Sequence, residues 1–136
     1  MILLTNNPKV SEEMKAVNNV KIYYYQDVDY GGILEHAQQL IVNEKLILLS
    51  HPLSGSIKPN ETYYKTIFFS EKSNQFIDIE SLEYIESALL VYEKFMKNQM
   101  RPNWTEKILA DFAFVDLYLT KSTLQRMGTT YVNHSG

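Results

Sequence analysis

The sequence predicts an α/β domain, a compact three-layer Rossmann-like fold. Its mostly parallel sheet would have four strands, with a fifth left open, and two long helices would follow at the C-terminal end. Three observations lead to this prediction. Strand-like and helix-like segments alternate over the first fifty residues, which is typical of parallel βαβ units with right-handed crossovers. An apolar run at residues 46–49 (LILL) reads as a strand covered on both faces. Long stretches with helical apolar spacing fill the last third of the chain.

The first half of the chain predicts two helices and three strands, of which residues 46–49 are the third. Residues 2–4 (ILL) form a short buried strand, and Asn7 followed by Pro8 is typical of an N-cap and the first residue of a helix. Residues 20–25 (VKIYYY) are β-branched and aromatic, so they predict a second strand. A polar loop with paired glycines leads into a helix over residues 33–43, where apolar residues recur at helical spacing.

The second half predicts one further strand and two long helices. Residues 64–69 form the fourth strand, and residues 76–77 are either a short fifth strand or a docking anchor. A helix is expected over residues 81–98. The last helix is expected to begin after Asn103 as N-cap, in a capping-box arrangement with a glutamate, and to end before Gly128. Residues 1–128 are thus predicted to form a single domain and residues 129–136 a flexible tail.

Composition excludes several classes of function. The 136-residue chain has no cysteine, which excludes disulfides, thiolate metal sites and cysteine nucleophiles. Its three histidines lack the spacing of a metal site, and we expect neither a metal nor another cofactor. A formal net charge of −3 without a basic cluster disfavours nucleic acid as a partner. With neither a signal peptide nor an apolar run long enough for a membrane span, a cytoplasmic protein is expected.

The candidate site is the long polar segment at residues 51–62 (HPLSGSIKPNET), which lies between two predicted strands. A simple turn would need about two to five residues, so this loop is longer than its connection requires. In an open parallel sheet, ligands bind at the carboxyl ends of strands where the strand order reverses. That rule brings the two asparagines after the first strand next to the head of this loop. The candidate ligand-binding residues are Asn6, Asn7, His51, Ser54, Gly55, Ser56, Lys58, Asn60 and Glu61.

The same residues carry a resemblance to a known family. Residues 5–8 (TNNP), residues 51–62 and residues 102–104 (PNW) resemble the GrdX family. This is a family of small bacterial proteins named for their association with glycine, sarcosine and betaine reductase systems. The resemblance covers roughly residues 1–122. It implies a cytoplasmic accessory protein of an amino-acid-fermenting bacterium, with proteins of a reductase complex as partners, but it supplies no reaction.

Two functions that use the loop remain open at this point, and a third class, a pure assembly scaffold, would place the exposed apolar area on the last helix and not at the loop. The favoured one is a non-catalytic protein that binds a small anionic metabolite, or a segment of a partner protein. Ser54, Gly55 and Ser56 would hold the anionic group and Lys58 would neutralise it. The alternative is a small enzyme with His51 as general acid or base and Ser54 or Ser56 in a polar role.

The last helix leaves further alternatives open. It is apolar almost all round, so it is either deeply buried or part of a subunit interface, and a homo-oligomer remains open. Asp111 and Asp116 lie within this apolar stretch and need partners. Each is either bonded to a nearby backbone or tyrosine group, or reaches the pocket or a partner protein.

Overall fold

The computed structural model describes residues 1–54, 62–98 and 104–128. Over these ranges, helices lie on both faces of a small mixed sheet of three strands. The strands are β1 (Ile2–Thr5), β2 (Lys21–Tyr24) and β3 (Thr66–Phe69). The helices are α1 (Pro8–Met14), α2 (Tyr30–Asn43), α3 (Ile79–Asn98) and α4 (Glu106–Arg126).

The sheet has the order β2-β1-β3. β1 pairs with β2 in parallel, through a crossover that contains α1, and with β3 in antiparallel. Alternate residues of the two buried strands point to opposite faces. Leu3 and Phe68 pack toward α1 and α4, whereas Leu4 and Ile67 pack toward α2 and α3.

The predicted Rossmann-like sheet of four or five mostly parallel strands is wrong. Residues 46–49 do not pair with β1, but lie on the outer side of β3 with one isolated bridge, between Leu48 and Phe69. β3 takes the place beside β1, and it runs antiparallel there. An apolar run indicates burial but specifies neither the neighbouring strand nor its direction. The predicted place of residues 46–49 beside the first strand was wrong for this reason. The switch-point rule that was used to locate the site therefore does not apply.

The helix starts follow local capping chemistry. Asn7 caps α1 by accepting a hydrogen bond from the Lys9 N–H at 3.0 Å, with Pro8 as first residue, and this confirms the prediction. α2 begins at Tyr30, three residues earlier than predicted, because Asp29 accepts from the N–H of Gly32 at 2.9 Å. The paired glycines therefore lie inside the first turn of a helix and not in a loop.

The C-terminal half agrees in outline and differs in detail. Residues 76–77 form no strand: Phe76 is exposed, and Ile77 packs against the core. α4 is capped by Thr105, whereas the predicted cap, Asn103, lies outside the described residues. Gly128 follows the helix end with φ of 74°, as predicted. The predicted tail, residues 129–136, also lies outside the described residues.

A close approach between α2 and α3 explains one of the two helical glycines. A Cβ atom at Gly31 would lie 2.5 Å from Cε1 of Tyr92 on α3. We expect Gly31→Ala to lower the free energy of unfolding by about 1–3 kcal/mol, because the Tyr92 ring must shift and weaken its stacking on the buried ring of Tyr30. Urea denaturation of the single variant and of the Gly31→Ala, Tyr92→Leu double variant measures this. A Gly31→Ala loss that the smaller leucine does not reduce would contradict the steric explanation.

Candidate functional site

The site lies where β1 ends and β3 begins. Because these strands are antiparallel, Thr5 pairs with Thr66, and the residues just beyond them meet at one edge of the sheet. The hydroxyl oxygens of the two threonines lie 2.8 Å apart in a buried contact. Asn6 and Asn7 follow on one side and Lys65 precedes on the other, so the sheet register alone brings an amide pair and an amine together.

Asn6 joins three backbone segments. Its Nδ2 donates to the carbonyls of Val28 at 2.9 Å and Tyr63 at 3.0 Å, and its Oδ1 accepts from the N–H of Lys65 at 2.9 Å. The residue is 1% exposed. Both amide protons and the amide oxygen therefore have protein partners, and Asn6 fixes the chain on either side of the site.

Asn7 connects the site to α4. Its Nδ2 donates to the carbonyl of Ala113 at 2.8 Å and to Oδ2 of Asp116 at 3.0 Å. The same carboxylate oxygen accepts from the Thr66 hydroxyl at 2.8 Å. Burial raises the pKa of Asp116, and the hydrogen bonds from Asn7 and Thr66 together with the charge of Lys65 oppose that rise. The result is a carboxyl group held in a fixed orientation at the edge of the sheet.

Lys65 is a buried amine, 4% exposed. Its Nζ donates to the carbonyl oxygen of Ser54 and lies 5.9 Å from the ring centre of Tyr30. Burial lowers its pKa to about 8, although the negative charge of Asp116 acts in the opposite direction. An amine with this pKa is partly neutral near pH 7, whereas an exposed lysine is almost fully protonated there.

A small cavity borders these groups, and a wider groove adjoins that cavity. The cavity, of about 40 Å³, is lined in part by Lys65, Thr66, Asp116 and Thr120. The groove, of about 250 Å³, is lined in part by His51, Leu49 and Met127. Four residues line both, namely Ser50, Ser54, Thr123 and Arg126. The buried amine and carboxyl group therefore lie next to an open groove whose lining carries hydroxyl groups and one guanidinium.

Of the predicted site residues, only some line this groove. Ser54 and His51 line it, whereas Asn6 and Asn7 support it from within the protein. Their predicted role as ligand donors stays a prediction. The remaining predicted residues, Gly55, Ser56, Lys58, Asn60 and Glu61, lie outside the described residues.

His51 has a position that fits the binding hypothesis more directly than the catalytic one. Its Nδ1 accepts a hydrogen bond from the backbone N–H of Leu53 at 3.1 Å, and its ring packs at 5.3 Å against Tyr84. These contacts hold the start of the loop. A general acid or base role for His51 stays a prediction.

Sequence reasoning left two charged residues undecided, Asp111 and Asp116, and missed two others, Lys65 and Arg126. Asp116 reaches the cavity, which was one of its two open alternatives, while Asp111 is exposed. Lys65 gives only one signal in the sequence, a lysine directly before the apolar run of a strand. Arg126 gives none, because an arginine in the last turn of a helix is ordinary.

The arrangement suits small organic anions better than metal ions. Within the described ranges, no three histidine, aspartate or glutamate side chains lie close enough to hold a metal. The groove offers the guanidinium of Arg126 with the hydroxyl of Ser54, and these donors bind carboxylate or phosphate oxygens. The Thr123 hydroxyl donates to the Leu119 carbonyl at 2.9 Å and accepts from Nη2 of Arg126 at 3.1 Å, so it orients the guanidinium. Lys65 adds an amine deeper inside.

A second surface feature lies on the far side of α4. Phe114 and Tyr118 are 63% and 65% exposed, and Val115 between them is also exposed. One turn separates the two rings, so they lie on the same face of the helix. The prediction that α4 is deeply buried is therefore wrong for this face, and its alternative, an interface, stays open.

The chain belongs to the family described as GrdX-like protein, whose sequence profile matches residues 2–125. Neither a curated protein nor a solved structure gives a significant match. In the part of the chain that the structure describes, every helix is too short or too polar to cross a membrane.

Proposed function

We propose that this member of the GrdX-like family is an accessory protein that binds a small organic anion in the groove beside residues 49–54 and the end of α4. The observation that carries the proposal is the buried amine of Lys65 next to a groove lined by Arg126 and hydroxyl groups. Burying a cation costs free energy unless something compensates. The Ser54 carbonyl and the charge of Asp116 compensate in part, and an anion in the groove would add to them.

The family association supports a particular set of ligands. The name of the family refers to glycine, sarcosine and betaine reductase systems, whose substrates are small amino acids that carry a carboxylate. A carboxylate of this size fits a groove of about 250 Å³. Arg126 would form the paired hydrogen bonds that a guanidinium makes with a carboxylate. The predicted role of Lys58, to neutralise the anionic group, is part of this proposal, and proteins of such a reductase system are the partners that this role implies.

A thermal-shift screen with two matched variants tests the binding proposal. Glycine, sarcosine, betaine, acetate, acetyl phosphate and phosphate are added to the wild type, to Arg126→Gln and to Lys107→Gln. Lys107 is an exposed cation on the same helix but at its other end. A ligand at a hundred times its Kd adds about 2.7 kcal/mol, which is a rise in Tm of several degrees for a domain of this size. We expect this rise in the wild type and in Lys107→Gln, and a loss of most of it in Arg126→Gln.

Two results would contradict this proposal. An equal rise in all three proteins would mean that the anion binds elsewhere. If no compound raises Tm, small-anion binding fails, and the exposed face of α4 becomes the surface to examine with purified reductase proteins by gel filtration.

A further inference from the structure

The position of Lys65 is unusual for a lysine with a purely structural role. Its side chain enters the interior from the residue before β3, and the amine contacts the Ser54 carbonyl and faces the ring of Tyr30. The residue also lines the 40 Å³ cavity together with Asp116. A cavity of this volume has room for about one or two water molecules or for the reacting end of a small molecule. The amine is therefore buried and still next to space that a ligand can enter.

An amine in this environment has the protonation behaviour of a nucleophile. With a pKa of about 8, roughly one molecule in ten carries a neutral amine at pH 7. An exposed lysine has only about one in a few thousand. Lysines that attack carbonyl groups are activated by desolvation in this way.

The neighbouring carboxyl group supplies the second requirement. Asp116 lines the same cavity and is held in place by Asn7 and Thr66. Burial raises its pKa, so it holds a proton at higher pH than an exposed aspartate does. A carboxyl group so placed can give a proton to a departing hydroxyl group and take it back afterwards.

We propose that Lys65 forms an imine with the carbonyl carbon of a small oxo acid whose carboxylate is held by Arg126. This proposal rests on the proposed function, since it uses the same groove for the carboxylate. The volume of the inner cavity limits the carbonyl end to a few atoms, as in glyoxylate or pyruvate. The amide, hydroxyl and guanidinium groups around it bind oxygen atoms and leave the amine as the nucleophile.

The reaction balances without an oxidant or a reductant. The ammonium of Lys65 first gives its proton to the carboxylate of Asp116. The neutral amine then adds to the carbonyl carbon, and a proton moves from nitrogen to the former carbonyl oxygen to give a carbinolamine. Asp116 donates a proton to that hydroxyl, the C–O bond breaks and water leaves. The nitrogen lone pair forms the C=N bond, and the proton lost from the nitrogen returns to Asp116. One amine and one carbonyl give one imine and one water.

Reductive trapping tests the proposal. The protein is incubated with glyoxylate and cyanoborohydride, and tryptic peptides are mapped by mass spectrometry over time. We expect a carboxymethyl group to appear first, and to saturate, on Lys65. The exposed Lys97 serves as the internal control. In Asp116→Asn, we expect labelling at Lys65 to slow by roughly tenfold or more, because the proton donor is lost. This variant keeps an acceptor for Asn7 and Thr66, and circular dichroism confirms that it is folded.

The outcomes separate this proposal from the proposed function. Labelling of Lys65 no faster than that of Lys97 overturns the imine. If glycolate, which has no carbonyl to attack, still raises Tm in that case, anion binding survives and only the imine fails. If glycolate has no effect and Lys65 is not labelled, both proposals fail.

Discussion

Asn6→Asp should lower the free energy of unfolding by roughly 3–6 kcal/mol at pH 7. The two side chains have nearly the same shape, so packing is kept and only the hydrogen-bond donor is lost. In the wild type that donor serves the carbonyls of Val28 and Tyr63. In the variant both carbonyls face a carboxylate oxygen at a position that is 1% exposed. Native domains have only about 5–15 kcal/mol of stability, so this change consumes a large part of it.

Urea denaturation of Asn6→Asp and of Asn18→Asp gives a matched comparison. Asn18 is exposed, and the same chemical change there should stay within about 0.5 kcal/mol. The loss at position 6 should also shrink at acid pH. A buried carboxyl group between two carbonyl oxygens has a raised pKa, so the folded variant binds a proton more strongly than the unfolded chain, and its stability relative to the wild type rises as pH falls. Equal losses at both positions would show that the three contacts of Asn6 contribute little.

The start of the chain shows what local sequence signals can establish. Asn7 and Pro8 predict the start of α1 because capping depends on neighbouring residues only. The strand at residues 2–4 is buried on both faces, as its composition indicates, and its neighbour β2 follows through one helix. Each of these inferences concerns segments that are close along the chain.

The edge of the sheet shows where such signals end. Residues 46–49 and Thr66–Phe69 are both short apolar runs, and nothing within either run shows which one lies beside β1. The choice is made by packing of side chains that are distant in sequence, against α2 and α3 on one face and α1 and α4 on the other. A pairing decided by long-range contacts cannot be derived from the periodicity of either segment.

The candidate site was also predicted in part from the sequence. Sequence reasoning indicated that the asparagines after the first strand lie near the head of the loop, and Lys65 joins them in the structure: it binds Asn6 through its N–H and Ser54 through its amine. The reason given for that proximity, a switch point between parallel strands, was wrong. The contact between Asn6 and Lys65 depends on the antiparallel register of β1 and β3. The contact between Asn7 and Asp116 depends on the position of α4, because the two residues are more than a hundred positions apart in the sequence.

Asp116→Ala should lower the free energy of unfolding by about 3–5 kcal/mol at pH 7, because it leaves a buried cation without its negative neighbour. It also removes the acceptor for Asn7 Nδ2 and for the Thr66 hydroxyl. Lys65→Met has nearly the same volume as the wild type and removes the cation together with its hydrogen bond to the Ser54 carbonyl. The double variant should therefore lose less than the sum of the two single variants, by about 1 kcal/mol or more. Additivity within about 0.5 kcal/mol would contradict a charge interaction between Lys65 and Asp116.

The pH dependence separates the charge effect from the lost hydrogen bonds. Lys65 is protonated up to about pH 8 in the folded protein and up to its ordinary pKa of 10.5 in the unfolded chain. Between these values the unfolded chain binds one more proton, so the contribution of Lys65 to stability rises with pH across that window. Asp116 raises the pKa of Lys65, so in Asp116→Ala that pKa falls below about 8 and the rise in stability begins at lower pH.

The difference in free energy of unfolding between wild type and Asp116→Ala should consequently be larger at pH 7 than at pH 9.5, where the amine is neutral in both folded proteins. Urea denaturation at the two pH values measures it, and an equal difference at both would assign the whole effect to the hydrogen bonds of Asn7 and Thr66.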